Sequence, residues 1–454
     1  MTPEEARQKL NHLLSHAQYA EGERLAREVR AEAIRQNDLE LATDAAFYLG
    51  QFCFEQLHHQ DAWDALADAL ADRSELYGTN HLLTTQVRAW LAGVSTSLNR
   101  SAEARALLAR ATAALPKEPT DDERMIVVDT LRVIGFVENR LKRNDEAVEH
   151  LRRALELVES MSPPDELEVA SVCVLLGAAE ELVNHFDRAE ELYTRALDIR
   201  LRLLDENNVL IAYCRNHLGV AKLMQSKPDE ARELVDKSIA GLEATLGDNP
   251  LTATSLATRA TMHALEEDHV RAVNTLERAL TMKEGAGTDT PEVASTLLML
   301  GLVQMGFGKP DLAEPHLRRA VKIYLPFHQT QLESLFNAFN NTISVLNAQR
   351  KFKEMIAFVE PILTRLQDEP LVDPNFLGAV ITGLSTGYHG LGKASKAEKL
   401  LKRALGVVES RLGPEARELE PILHNLAQLL SEMGRHSESR MYRQRSEAIL
   451  GKEN

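Results

Sequence analysis

Between residues 290 and 325, apolar side chains recur every three or four residues in two runs separated by a short polar turn. Leu297, Leu300, Gly301 and Met305 share one helical face in the first run. Leu312, Ala313, Leu317, Ala320 and Val321 do so in the second. Thr290 can cap the first helix, with Pro291 at its first position and Glu292 favouring its positive end. Gly308 ends that helix, and Pro310 and Asp311 open the next. The pattern predicts a hairpin of two amphipathic helices.

This hairpin repeats along the chain. Ala62, Ala104, Ala147, Ala189, Ala231, Ala272, Ala313 and Ala397 follow one another at spacings of 42, 43, 42, 42, 41, 41 and 84 residues, with Met355 at the skipped position. Twelve residues before each alanine stands Gly50, Ala92, Gly135, Gly177, Gly219, Ala260, Gly301 or Ser385. Seven residues after it stands Ala69, Ala111, Ala154, Ala196, Ser238, Ala279, Ala320 or Ala404. Small residues at three phased positions mark where helix axes come closest. A period of this length specifies stacked helical repeats. Eleven units are predicted, with key positions 22, 62, 104, 147, 189, 231, 272, 313, 355, 397 and 439.

The expected fold is therefore an all-α solenoid of about eleven helix-turn-helix repeats, a single array over 1–454. Residues 1–37 form an irregular N-terminal capping repeat and 38–330 the regular repeats. Residues 331–368 form an atypical repeat, 369–412 a regular one and 413–454 the C-terminal cap. Ser439 and Ser446 replace alanine in the last unit beside Arg440, Arg443, Arg445 and Glu447, as suits an end that no further repeat covers. The ninth unit has Ile343, Met355 and Ile362 at the small positions. These should push its helices apart, and Pro361 should kink or shorten its second helix.

The phased pattern resembles the tetratricopeptide repeat, in the 42-residue form of kinesin light chains; the more usual unit has about 34 residues. Leader segments between hairpins carry the likeness further: YGTNHLLTTQV, LGDNPLTATSLA, AGTDTPEVAST and LGPEARELEPIL. The resemblance implies a right-handed superhelix whose first helices line a concave groove. With the small residue as position eight, it implies that positions two, five, nine and twelve face that groove. These are Asp129, Arg132, Phe136 and Asn139 in the fourth unit and Tyr213, Asn216, Val220 and Leu223 in the sixth. The eighth unit supplies Ser295, Leu298, Leu302 and Met305, an apolar centre. The ninth supplies Asn337, Asn340, Ser344 and Asn347, the tenth Thr382, Thr386 and His389, and the eleventh His424 and Gln428.

Four of the chain's nineteen asparagines fall within 337–347. At 100° per residue, Asn337, Asn340, Ser344 and Asn347 span an arc of about 80°. Asparagine is a poor helix former, so the stripe has a local cost. Its amide donates and accepts at once, which suits the backbone of an extended peptide.

Composition narrows the function. The net charge of −16 offers no basic footprint for nucleic acid. No apolar run is long enough to span a membrane, and no signal peptide is visible, so a cytoplasmic location is expected. Cys53, Cys173 and Cys214 match neither a disulfide framework nor a metal pattern and should be core residues. His12 and His16 share a helix face but lack further ligands. No phosphate loop, GxSxG or HExxH motif occurs. The expectation is a non-enzymatic scaffold or adaptor, without cofactor or metal, that binds a partner peptide or helix in the groove. Two further readings are a peptide-sensing regulator whose pitch changes on ligand binding and a scaffold that self-assembles as a homo-oligomer.

Overall fold

The computed structural model describes residues 2–98, 100–285, 287–366, 369 and 372–450. The segment 367–374 lies partly outside them. The described residues form two compact units, Met1–Glu266 and Glu267–Asn454. The 42-residue period of the sequence continues past this boundary.

The N-terminal unit contains α1 (Pro3–Ser15), α2 (Tyr19–Arg35), α3 (Leu39–Glu55), α4 (His59–Tyr77), α5 (Leu82–Ser97), α6 (Ser101–Ala114) and α7 (Asp121–Arg140). It continues with α8 (Asn144–Glu159), α9 (Glu166–Leu182), α10 (Phe186–Leu203), α11 (Val209–Met224), α12 (Pro228–Leu246) and α13 (Pro250–Leu265). The C-terminal unit contains α14 (His269–Glu284), α15 (Pro291–Gly306), α16 (Pro310–Tyr324), α17 (Leu332–Ala348), α18 (Phe352–Leu366), α19 (Pro374–Gly390), α20 (Ala394–Leu412), α21 (Glu420–Glu432) and α22 (His436–Leu450). No strand occurs among the described residues. Within each unit the helices alternate as first and second members of hairpins, as the period predicts, and among the described residues no helix is long and apolar enough to cross a membrane.

Each key position lies near the start of a second helix and is buried, from Gly22 in α2 to Ser439 in α22. The facing glycines are sockets. A Cβ on Gly135 would lie 2.4 Å from Cγ of Leu151, and one on Gly301 would lie 2.5 Å from Leu317. Inside a hairpin the turn is sharp. Five residues before the key position, one residue adopts the left-handed conformation, as at Leu57 (φ 65°), Lys142 (φ 61°) and Gly308 (φ 67°). In the second hairpin the turn closes with His58 N–H donating to the Cys53 carbonyl at 2.8 Å and Leu57 N–H to that of Phe54 at 3.0 Å, satisfying carbonyls at the helix end.

The ninth hairpin departs from the rule. α17 and α18 pack less closely than the other hairpin pairs within the two units, and Met355 is fully buried between bulky neighbours. The next first helix compensates. A Cβ on Gly383 of α19 would lie 3.2 Å from Ile343, one on Gly387 2.8 Å from Ile356, and one on Gly390 2.3 Å from Phe352. The small residues have moved from within the hairpin to the helix that follows. Pro361 does not end its helix; α18 runs through it to Leu366. All three cysteines are buried and free.

Candidate functional site

In the C-terminal unit, Asn337, Asn340, Ser344 and Asn347 are all exposed on one face of α17. Asn341 spends its amide on the Asn337 carbonyl at 2.8 Å. Among the described residues, no hydrogen bond engages the side chains of Asn337, Asn340 or Asn347. Thr382, Thr386 and His389 are half-buried on α19, and His424 and Gln428 are exposed on α21. One cavity of about 570 Å³ is lined by Asn347, Thr386, His389 and Gln428, and so joins three successive first helices. Arg350, Phe352 and Asn425 also line it. His389 Nε2 lies 2.7 Å from one oxygen of Glu432, and Gln428 donates to the other at 3.2 Å. Glu432 lies outside the positions implied by the repeat numbering, yet it ties two of them together.

The apolar centre is smaller than the sequence implied. Leu298 is 9% exposed and belongs to the packed core, and Met305 is half-buried against it. Only Leu302, at 43%, offers a large open surface. Asn216 in the other unit is likewise 5% exposed, with its side-chain oxygen unpartnered.

The N-terminal unit holds a second cavity, of about 660 Å³ and half open to solvent. Its walls are the inner faces of α3, α5, α7, α9 and α11, and α1 lies across it. This arrangement depends on a distant contact. Asn208 Nδ2 donates to the His16 carbonyl at 3.0 Å, and Ala17 packs on the apolar cluster of Val209, Ala212 and Leu242. The first hairpin, expected as an irregular capping repeat, is docked against the sixth. His12 and His16 lie with ring centres 3.9 Å apart in this region, and His16 Nδ1 is 2.9 Å from the His12 carbonyl.

Ion pairs brace the chamber. Arg73 reaches Asp44 at 2.9 Å and the Leu83 carbonyl at 2.9 Å, and its guanidinium lies 4.6 Å from the Phe47 ring centre. Arg7 reaches the same Asp44 at 2.7 Å. Asp129 accepts from Gln86 at 2.8 Å, Trp90 at 3.1 Å and Arg132 at 2.5 Å. Arg132 Nε also lies 3.0 Å from Glu168, although that contact is not aligned as a hydrogen bond. Burial pushes the Glu168 carboxyl up, and Arg132 partly offsets this. His217 lines the chamber and stacks on Tyr193 at 5.2 Å; burial, aided by Arg200, pushes its imidazole down to about 4.

Of the residues singled out in the sequence, Tyr213, Asp129 and Arg132 meet in this chamber. Tyr19, Tyr48, Gln51, Glu55 and Trp90 were not anticipated. One signal was present: Asp44, Tyr48, Gln51 and Glu55 recur at three- and four-residue spacing on a largely apolar α3.

The tetratricopeptide repeat family model matches residues 127–202, 208–285 and 378–452, together half of the chain. The Arabidopsis thaliana protein Kinesin Light Chain-Related 3 is 23% identical over 354 residues, which are 68% of this chain and 54% of that protein. The chain therefore spans about half the length of that curated relative. Among solved structures, the apo form of the quorum sensor NprR from B. thuringiensis shares the fold over 98% of both chains, with 12% identity and a TM-score of 0.53. BtubC (BKLC) from P. vanneervenii matches 53% of this chain and 90% of its own, with 19% identity and a TM-score of 0.39. Phased small residues, helix hairpins and a family match over half its length place this chain in the tetratricopeptide repeat family.

Proposed function

We propose that the protein is a non-enzymatic cytoplasmic scaffold that holds a partner peptide against the first helices of its repeats. In the C-terminal unit the contact surface is Asn337, Asn340, Ser344 and Asn347, continued by Thr382, Thr386, His389, His424 and Gln428. The observation that carries this reading is the cavity of about 570 Å³ lined jointly by Asn347, Thr386, His389 and Gln428. Unengaged amides on a rigid helix can meet an extended backbone with donor and acceptor together. Membership of a repeat family whose architecture presents long binding surfaces supports it.

The test begins with partner capture from the native extract on the wild-type protein, followed by affinity measurement with the captured segment. Asn340→Ala and Asn347→Ala are each expected to weaken binding by about 1–3 kcal/mol, the penalty for an unsatisfied buried partner group. Unchanged affinity in both variants would remove the stripe from the mechanism.

A further inference from the structure

Of the carboxylates lining the N-terminal chamber, all but Glu55 face a donor or a cation, Glu168 lying 3.0 Å from Arg132 Nε. Asp44 is held by Arg7 and Arg73, Asp129 by Arg132, Gln86 and Trp90, and Asp165 caps α9 by accepting from Glu168 N–H at 3.1 Å. Glu55 stands apart. No hydrogen bond or ion pair to another described residue engages its carboxylate; burial pushes its carboxyl up, with Arg132 as the offsetting charge.

Around Glu55 stand the rings of Tyr19, Tyr48 and Tyr213 and the side chain of Gln51, with the charge of Arg132 acting on it from the same chamber. Tyr48 and Gln51 precede it on the same face of α3 and line the same chamber. Gln51 is 2% exposed, and its side-chain oxygen has no hydrogen-bond partner. Burial raises the phenols of Tyr19 and Tyr213, and the nearby charge of Glu55 raises both further. Among the described residues, none of the phenol oxygens of Tyr19, Tyr48 and Tyr213 makes a hydrogen bond. A half-buried carboxylate without a partner is costly, and so is a buried amide oxygen. A positively charged donor satisfies both, and ring faces attract it further.

We propose that this chamber binds an organic cation, an ammonium or guanidinium group, held by Glu55 and Gln51 among Tyr19, Tyr48 and Tyr213. Its volume, about 660 Å³, lies in the range of small-ligand pockets. The cation belongs either to a free small amine or to a basic side chain of a short peptide. The site is separate from the asparagine stripe, which lies in the other unit, so each stands or falls alone.

The test uses the full-length protein and two probes: agmatine, and an acetylated, amidated tripeptide with a central arginine. Binding is followed by calorimetry and by tryptophan fluorescence, since Trp90 lines the chamber. Saturable binding of either probe is expected, and which of the two binds identifies the source of the cation. Glu55→Gln keeps the shape and removes the charge, and should weaken binding by roughly tenfold or more. Gln51→Met provides the same readout if the first variant does not fold. Asn347→Ala should bind both probes as the wild type does. The proposal is overturned if neither probe saturates, if glutarate binds as well as agmatine, or if a folded Glu55→Gln protein keeps wild-type affinity.

Discussion

At the scale of single residues, two titrating groups beside Tyr193 oppose each other. Glu181 accepts from the Tyr193 hydroxyl at 2.8 Å, yet burial pushes its carboxyl up from 4.5 to about 7. The native state therefore holds a proton that the unfolded chain releases between these values. That contribution to stability is full below pH 4.5 and is lost as pH rises through 7. His217, pushed down from 6.5 to about 4, has the reverse sense. The unfolded imidazole takes up a proton that the native one refuses, so stability present above pH 6.5 is lost as pH falls towards 4. In the overlap the two slopes cancel. Relative to wild type, His217→Gln should gain stability as pH falls from 6.5 to 4.5, and Glu181→Gln should gain it as pH rises from 5 to 7.5. Each gain should be on the order of 1–3 kcal/mol. Urea midpoints followed by tryptophan fluorescence measure this directly, because Trp63 and Trp90, the chain's two tryptophans, both lie in the N-terminal unit. Equal slopes in all three proteins would refute the opposition. None of this was legible in the sequence, where Glu181 and His217 are 36 positions apart and only packing places Tyr193 between them.

At the scale of helices, much was legible. The small positions report helix proximity directly, because a hairpin leaves no room for a branched side chain at its crossing. Gly135→Ala forces a Cβ into Leu151, which is fully buried, and should cost about 1–3 kcal/mol by overpacking. In a Leu151→Ala background the same change should cost much less, and a double-mutant cycle of denaturation midpoints checks the coupling. Additive costs would show that the glycine is there for another reason. The ninth hairpin shows where pattern reading stops. Its large residues correctly signalled an opened pair, but Gly383, Gly387 and Gly390, which receive them, read as ordinary glycines. Their purpose appears only once α19 is set against α17 and α18. The asparagine stripe was legible because its residues share one helix. The Glu432 contact that couples α19 to α21 was not, because it crosses between repeats.

At the scale of the molecule, the period gave the number of hairpins but not the long-range tie within the N-terminal unit. That tie rests on residues 192 positions apart, Asn208 and His16, and no repeat of 42 announces a contact of that range. A repeat array is held by contacts between neighbours, so its ends are where it unravels first. Here the leading end is tied to the middle of its own unit. Opening of α1 should therefore require release of the contact at α11, and amides of α1 should exchange with solvent far more slowly than those of an ordinary fraying end. Asn208→Ala should speed exchange in α1 by roughly fivefold or more, as expected for about 1 kcal/mol of lost hydrogen bonding, and leave the C-terminal unit unchanged. Exchange in α1 that ignores the substitution would show that apolar packing around Ala17 alone keeps it in place.

The same tie has a consequence in time. The His16 carbonyl leaves the ribosome long before Asn208 exists to meet it, and the chain elongates at about 5–20 residues per second. For roughly 10 to 40 seconds of synthesis the first hairpin is present and the chamber's far wall is not. The chamber therefore gains its last wall late, and whatever fills it has its widest doorway while the protein is still being made.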